Sequence, residues 1–132
     1  MYWETVKRGK EIIPHLIAII DDTMSTEAYV PNFGGNYTVG DVSFTILKEI
    51  VHDIHWEEFI DGYDPDKGYG NYWQYVRGGL ENRKVLKSKL QEWYGVKENS
   101  IVWVKDTTNH RAIPNWYYKD KKHPAGGYFV VK

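Results

Sequence analysis

Residues 37–60 read YTVGDVSFTILKEIVHDIHWEEFI, the longest helical pattern in the chain. Val39, Val42, Ile46, Ile50 and Ile54 recur three or four apart, which places them on one face of a helix. Leu47 and Val51 widen that stripe. Thr38 is positioned to cap the first turn, with Asp41 three residues later as an acidic form of the capping box. Asp41 also lies near the positive end of the helix dipole. The spacing predicts one helix over the whole stretch. Its polar side would carry Lys48, His52 and His55 into solvent.

Upstream, Glu11–Ile20 predicts a short buried helix. Ile13, Leu16, Ile17 and Ile20 share a face, and Pro14 is tolerated only in a first turn, so the helix should start near Ile12. A buried strand is the rival reading. Residues 21–37 form a long connection punctuated by Pro31, Gly34 and Gly35, packed down by Tyr29, Val30 and Phe33. Downstream, residues 61–72 are rich in turn formers. Tyr72–Arg77 suits a helical turn broken at Gly78–Gly79. Leu80–Tyr94 is a helix with a Leu86, Leu90, Trp93 seam, Arg83 on a solvated face, and Gly95 where a left-handed cap belongs. Ile101–Lys105 and Tyr128–Val131 alternate as strands, and Trp116–Lys119 could be another.

The order IIPHLIAIIDDT, a loop, then YTVGDVSFTILKEI resembles the helix pairs of HEAT-like repeats in uncharacterised bacterial proteins. Pro14, Leu16, Ile17, Asp21, Asp22 and Thr23 carry the first part of the likeness and Thr38 to Val42 the second. The resemblance covers residues 11–54 and implies a fold of packed helix pairs. Its motifs are structural and bring no functional residues with them. The chain differs in having no second visible repeat and a strand-like tail. The expected fold is mainly α with a small C-terminal antiparallel β element, α+β being the alternative. One domain is expected over 1–132, with a helical body to about residue 95 and the β element from about 100.

With 132 residues, 42% hydrophobic and 27% charged, the composition suits a soluble domain. The net charge of -1 gives no bulk case for nucleic acid or an anionic membrane. The absence of Cys excludes disulfides, thiolate catalysis and Cys-based zinc sites. The run IIPHLIAII is too short to span a bilayer, and the polar start suggests no signal peptide. A cytoplasmic or a mature exported protein fits equally. The outlier is aromatic content: six Trp, eleven Tyr and four Phe, or 16%. Rings in that number build a core, an interface or a ligand groove.

Several patterns touch on catalysis without completing it. His52 and His55 with Glu49 and Glu58 lack the HExxH spacing of a zinc site. Asp61, Asp64, Asp66 and Asn71 resemble a calcium loop, but the twelfth position counted from Asp64 is Tyr75 rather than Glu. Asn109, His110 and Arg111, with His123 downstream, suggest half of a metal-nuclease motif. No catalytic residue, metal ligand or cofactor is therefore assigned. The aromatic clusters are the better surface candidates. Tyr72 and Trp73 precede Arg77, and Trp116 and Tyr118 precede Lys119; rings beside cations suit partner or ligand contact. The leading expectation is a non-enzymatic binding or scaffolding domain whose partner is another protein. The alternatives are a small metal-dependent hydrolase using His110 and His123, and a nucleic-acid accessory protein using Trp73, Arg77, Trp116 and Lys119.

Overall fold

Thr38 caps as expected. In the computed structural model its Oγ1 accepts the Asp41 N–H at 3.1 Å, and the Asp41 Oδ2 accepts the Thr38 N–H at 2.9 Å. The structure describes residues 2–30, 34–52, 56–67, 70–105 and 126–132, with only the backbone of Tyr2, Trp3, Glu57 and Glu58. Helices α1 (Tyr2–Lys7), α2 (Ile13–Ala18), α3 (Val39–Ile50), α4 (Gly70–Val76) and α5 (Leu80–Lys97), together with short 3-10 turns, make up most of it. Strands β1 (Ser25–Tyr29) and β2 (Asn36–Thr38) form one antiparallel pair, and β3 (Ile101–Lys105) and β4 (Gly127–Val131) another. The protein is thus mainly helical with a small C-terminal antiparallel sheet. The β1–β2 pair lies inside what the sequence reads as a plain connection.

The capped helix, α3, is central. It packs against α1, α2 and β4. Ile46, Leu47 and Ile50 are buried as the stripe predicts, but so are Asp41, Ser43, Phe44 and Glu49. A one-sided reading of α3 is therefore incomplete: neighbours cover it on several faces. It also ends earlier than expected. Val51 turns extended, at φ -113 and ψ 112, and pairs with Phe129 of β4. The His52 N–H then donates to the Phe129 carbonyl at 2.8 Å. Backbone pairing with a distant strand overrides local helix preference here, and a β-branched Val suits the change. Ile54 and His55 lie outside the described residues. Trp56–Phe59 forms a separate 3-10 turn against α5.

The first isoleucine-rich segment is helical. A 3-10 turn over Gly9–Ile12 leads into α2, with Pro14 in its first turn. Ile12, Ile13, Leu16, Ile17 and Ile20 are all buried, and α2 packs on both α3 and α5. Gly40 permits the close approach of this segment to α3. Its N–H donates to the Asp22 carbonyl at 2.9 Å, and a Cβ there would run into the Ile20 carbonyl.

Among the described residues the 21–37 connection is packed down by Val30 and Tyr37. Val30 is fully buried, Tyr29 is 64% exposed, and Phe33 lies outside the described residues. The Val30 N–H donates to the Gly35 carbonyl at 2.8 Å, and Gly34 and Gly35 take the positive φ of that turn at 77° and 71°. Helix α5 does not stop at Gly95 but runs on to Lys97, because Gly95 keeps a helical backbone and the Glu98 N–H reaches the Tyr94 carbonyl. An exposed glycine costs a helix only about 1 kcal/mol, too little to end one already docked through Leu86 and Leu90. In the C-terminal sheet Trp103 faces Phe129 across the strands, with ring centroids 5.1 Å apart. Phe129 in turn lies over Gly9.

Candidate functional site

Of the six residues proposed from sequence, Trp116, Tyr118 and Lys119 lie outside the described residues, as do His110 and His123. Tyr72, Trp73 and Arg77 fall on or just after α4.

Tyr72 belongs to the interior. It is 6% exposed, stacks on Phe44 at 4.6 Å, and donates its hydroxyl to Asp41 Oδ1 at 2.6 Å. Arg83 Nη1 donates to the same oxygen at 2.7 Å and to Thr38 Oγ1 at 3.3 Å. Arg83 is thus buried rather than solvated, which corrects the sequence expectation. Burial pushes the Asp41 carboxyl up. The hydrogen bonds from Arg83, the Thr38 N–H and Tyr72, with the Arg83 charge, outweigh that and hold it below the usual carboxylate range. This network ties α3, α4 and α5 together. The bonds among Thr38, Asp41, Tyr72 and Arg83 join one part of the fold to another, which makes the network structural.

Trp73 and Arg77 come together as the sequence suggests. The Arg77 guanidinium lies 5.5 Å from the Trp73 ring centroid, over its face, and Nη2 donates to the Gly34 carbonyl. Tyr37 and Tyr72 meet the indole edge-on at 5.4 and 5.0 Å. Trp73 is therefore only 2% exposed. Beside it runs an open groove of about 400 Å³, lined by Lys67, Gly70, Trp73, Gln74 and Arg77. Lys67 Nζ donates to Gln74 Oε1 at 2.6 Å, which brings its charge to the middle of α4, one turn from Arg77. The described lining holds two cations and no carboxylate. Sequence reasoning found Trp73 and Arg77 but missed Lys67, whose place in an Asp-rich turn hid it. Periodicity of α4, which sets Gly70, Gln74 and Arg77 at helical spacing, was the available signal.

A second groove, of about 310 Å³, follows the end of α5 between Phe59, Lys89, Glu92, Trp93, Val96 and Lys97. Its charges are mixed, and Lys89 is paired with Asp61 at 3.1 Å.

The acidic turn is built from its own bonds. Asn71 Oδ1 accepts the Asp64 N–H, Asn71 Nδ2 donates to the Asp64 carbonyl, and Asp64 Oδ1 accepts the Asp66 N–H. Among the described residues no three His, Cys, Asp or Glu side chains gather as metal ligands.

The far end of α3 departs from expectation. His52 is 3% exposed and Glu49 fully buried, so this is not a solvated side. Tyr128 of β4 stacks on the His52 ring at 4.3 Å, and His52 Nε2 stands 3.9 Å from Glu49 Oε2. A helical wheel shows opposite sides of one helix, not which later strand will cover one of them. Lys48 sits beside this pair, 5.4 Å from the Phe44 ring centroid, and burial pushes its pKa down to about 8 against the opposing pull of Glu49.

No helix among the described residues is long and apolar enough to cross a membrane. Comparison with family models, curated proteins and solved structures returns no match to this chain.

Proposed function

We propose that this chain is a non-enzymatic binding domain that docks a partner protein at the α4 groove. One observation carries the reading. Trp73 and Arg77, a ring and a cation paired in sequence, stand beside Lys67, Gln74 and Gly70 along an open groove on one short helix. Arg is among the residues that interfaces concentrate, and the buried Trp73 supports Arg77 from beneath. The surroundings support it: Arg77 is clamped to Gly34, and Trp73 is wedged by Tyr37 and Tyr72. Such a surface is ordered before binding, which lowers the entropic cost of association. A base-stacking platform needs an accessible ring face, and Arg77 lies across the face of Trp73, so protein docking is favoured over nucleic acid. The packed pair α2 and α3 is what a HEAT-like helix pair would contribute: a stiff support with no chemistry of its own.

The test is a selection of displayed random peptides on the folded domain, counter-selected on Gln74→Trp, which fills the groove. Retained peptides should shift the backbone amide resonances of Gly70, Gln74 and Arg77. A selection that yields nothing, or only peptides whose shifts fall elsewhere, refutes the reading.

A further inference from the structure

We propose that the peptide joining Asp61 to Gly62 is a site of spontaneous modification. There the Asp61 side chain closes on the Gly62 nitrogen as a succinimide, and the ring reopens as isoaspartate, with Lys89 restraining the closure. Such closure needs a short acidic or amide side chain, a following residue too small to shield its own nitrogen, and a backbone able to rotate. Asp61 with Gly62 is the one Asp-Gly or Asn-Gly pair in the 132 residues. Asp61, Gly62 and Tyr63 are all exposed. Gly62 takes the turn at φ 76°, and a Cβ built on it would meet no described atom within 4 Å. In a turn with glycine in that place the bonded N–H belongs to the residue after it, so the turn does not use the Gly62 nitrogen.

The step balances within the chain and the solvent. The carboxylate takes a proton from water, the Gly62 nitrogen bonds to Asp61 Cγ, and one carboxyl oxygen leaves as water with that proton and the N–H proton. Water then reopens the ring and returns a proton to the nitrogen. Attack at Cγ restores the original peptide. Attack at the main-chain carbonyl breaks its bond to nitrogen and leaves Gly62 joined through Cγ, with a new carboxylate on the main-chain carbon. The backbone gains one carbon there, between the turns Trp56–Phe59 and Pro65–Lys67. Lys89 opposes this: its Nζ stands 3.1 Å from Asp61 Oδ1, and the imide has no charge for the ammonium to hold. Other pairs lack a condition. Pro65 after Asp64 has no N–H. Asp41 is 2% exposed in a helix and precedes a β-branched Val42. Asn99 precedes the small Ser100, but both lie in the 3-10 turn Glu98–Ser100.

The experiment holds the whole chain at neutral pH for weeks beside a peptide of residues 56–67, and samples both by peptide mapping with electron-transfer fragmentation. A transient species one water lighter should appear, then an isomer of unchanged mass, both mapped to Asp61. An isoaspartyl carboxyl methyltransferase should label the isomer, and Asp61→Ser should abolish that label. The folded chain should convert within about tenfold of the peptide rate, since an exposed turn needs little opening. Lys89→Gln should speed conversion about two- to fivefold, the range of a surface ion pair, while Lys89→Arg keeps the wild-type rate. A label that persists in Asp61→Ser, or isoaspartate forming first at another position, overturns the site. So does a folded chain still unmodified once the peptide has converted. A Lys89→Gln rate at or below wild type, or an equal gain in Lys89→Arg, overturns the restraint.

Discussion

Replacing Arg83 by Met should cost this fold about 3 kcal/mol at neutral pH. Arg83 and Asp41 are buried side chains, 9% and 2% exposed, joined at 2.7 Å. Removing one member of a buried ion pair strands the other, at a typical cost of about 3–5 kcal/mol. The low end applies because Asp41 keeps the Tyr72 hydroxyl and the Thr38 N–H. A domain of this size is stable by about 5–15 kcal/mol, so the variant should fold with a clearly lower urea midpoint by Trp fluorescence. The pH dependence is the sharper test. The folded pKa of Asp41 is lowered, so the unfolded chain binds its proton more readily. Its stabilisation is full above the unfolded carboxylate value near 4 and fades as pH drops through the lower folded value. Without Arg83, burial is less opposed and protonation of Asp41 relieves the variant. The gap between wild type and Arg83→Met should therefore narrow at about pH 3 relative to pH 7. A loss under about 1 kcal/mol at pH 7, or a gap that ignores pH, would refute the reasoning.

Tyr72→Phe removes one charge-assisted donor to Asp41 and should cost about 1–2 kcal/mol, measured the same way. Gly40→Ala forces a methyl into the Ile20 carbonyl, with the Asp22 carbonyl at 3.1 Å; a loss of about 3 kcal/mol or a failure to fold is expected by circular dichroism. Lys48 releases its proton near pH 8 in the fold but near 10.5 when unfolded. The unfolded state thus binds more protons between those values, and wild-type stability should gain from Lys48 as pH rises through about 8 to 9.5. Lys48→Met should lack that gain in urea titrations across the same range.

The helices were legible where apolar spacing and a local stop signal agree. Thr38 with Asp41 announces a helix start because both partners of that cap lie within four residues. Pro14 fixes the start of α2 for an equally local reason. What was hidden depends on residues far apart in the chain. Nothing near Val51 reveals that Phe129 will pull it out of a helix, and nothing near Arg83 reveals Asp41, 42 positions away. The same distance effect divided the site. Trp73 and Arg77 are four apart on one helix and could be paired by eye. Lys67 joins them only because an amide at Gln74 holds it there. Tyr72, next to Trp73, looked equally suited to a surface and instead points inward to a carboxylate.

Phe129 has one more consequence. Its ring rests on Gly9, and its backbone secures Val51 and His52. When this polypeptide leaves the ribosome, everything through residue 105 emerges while that clasp is still missing. The amino-terminal turn must wait for a segment some 120 positions later, and closing so large a loop is entropically slow. Locking of these elements thus has to await Phe129, and a chain stalled or released before it would leave the floor beneath Phe129 uncovered for chaperones and proteases to find.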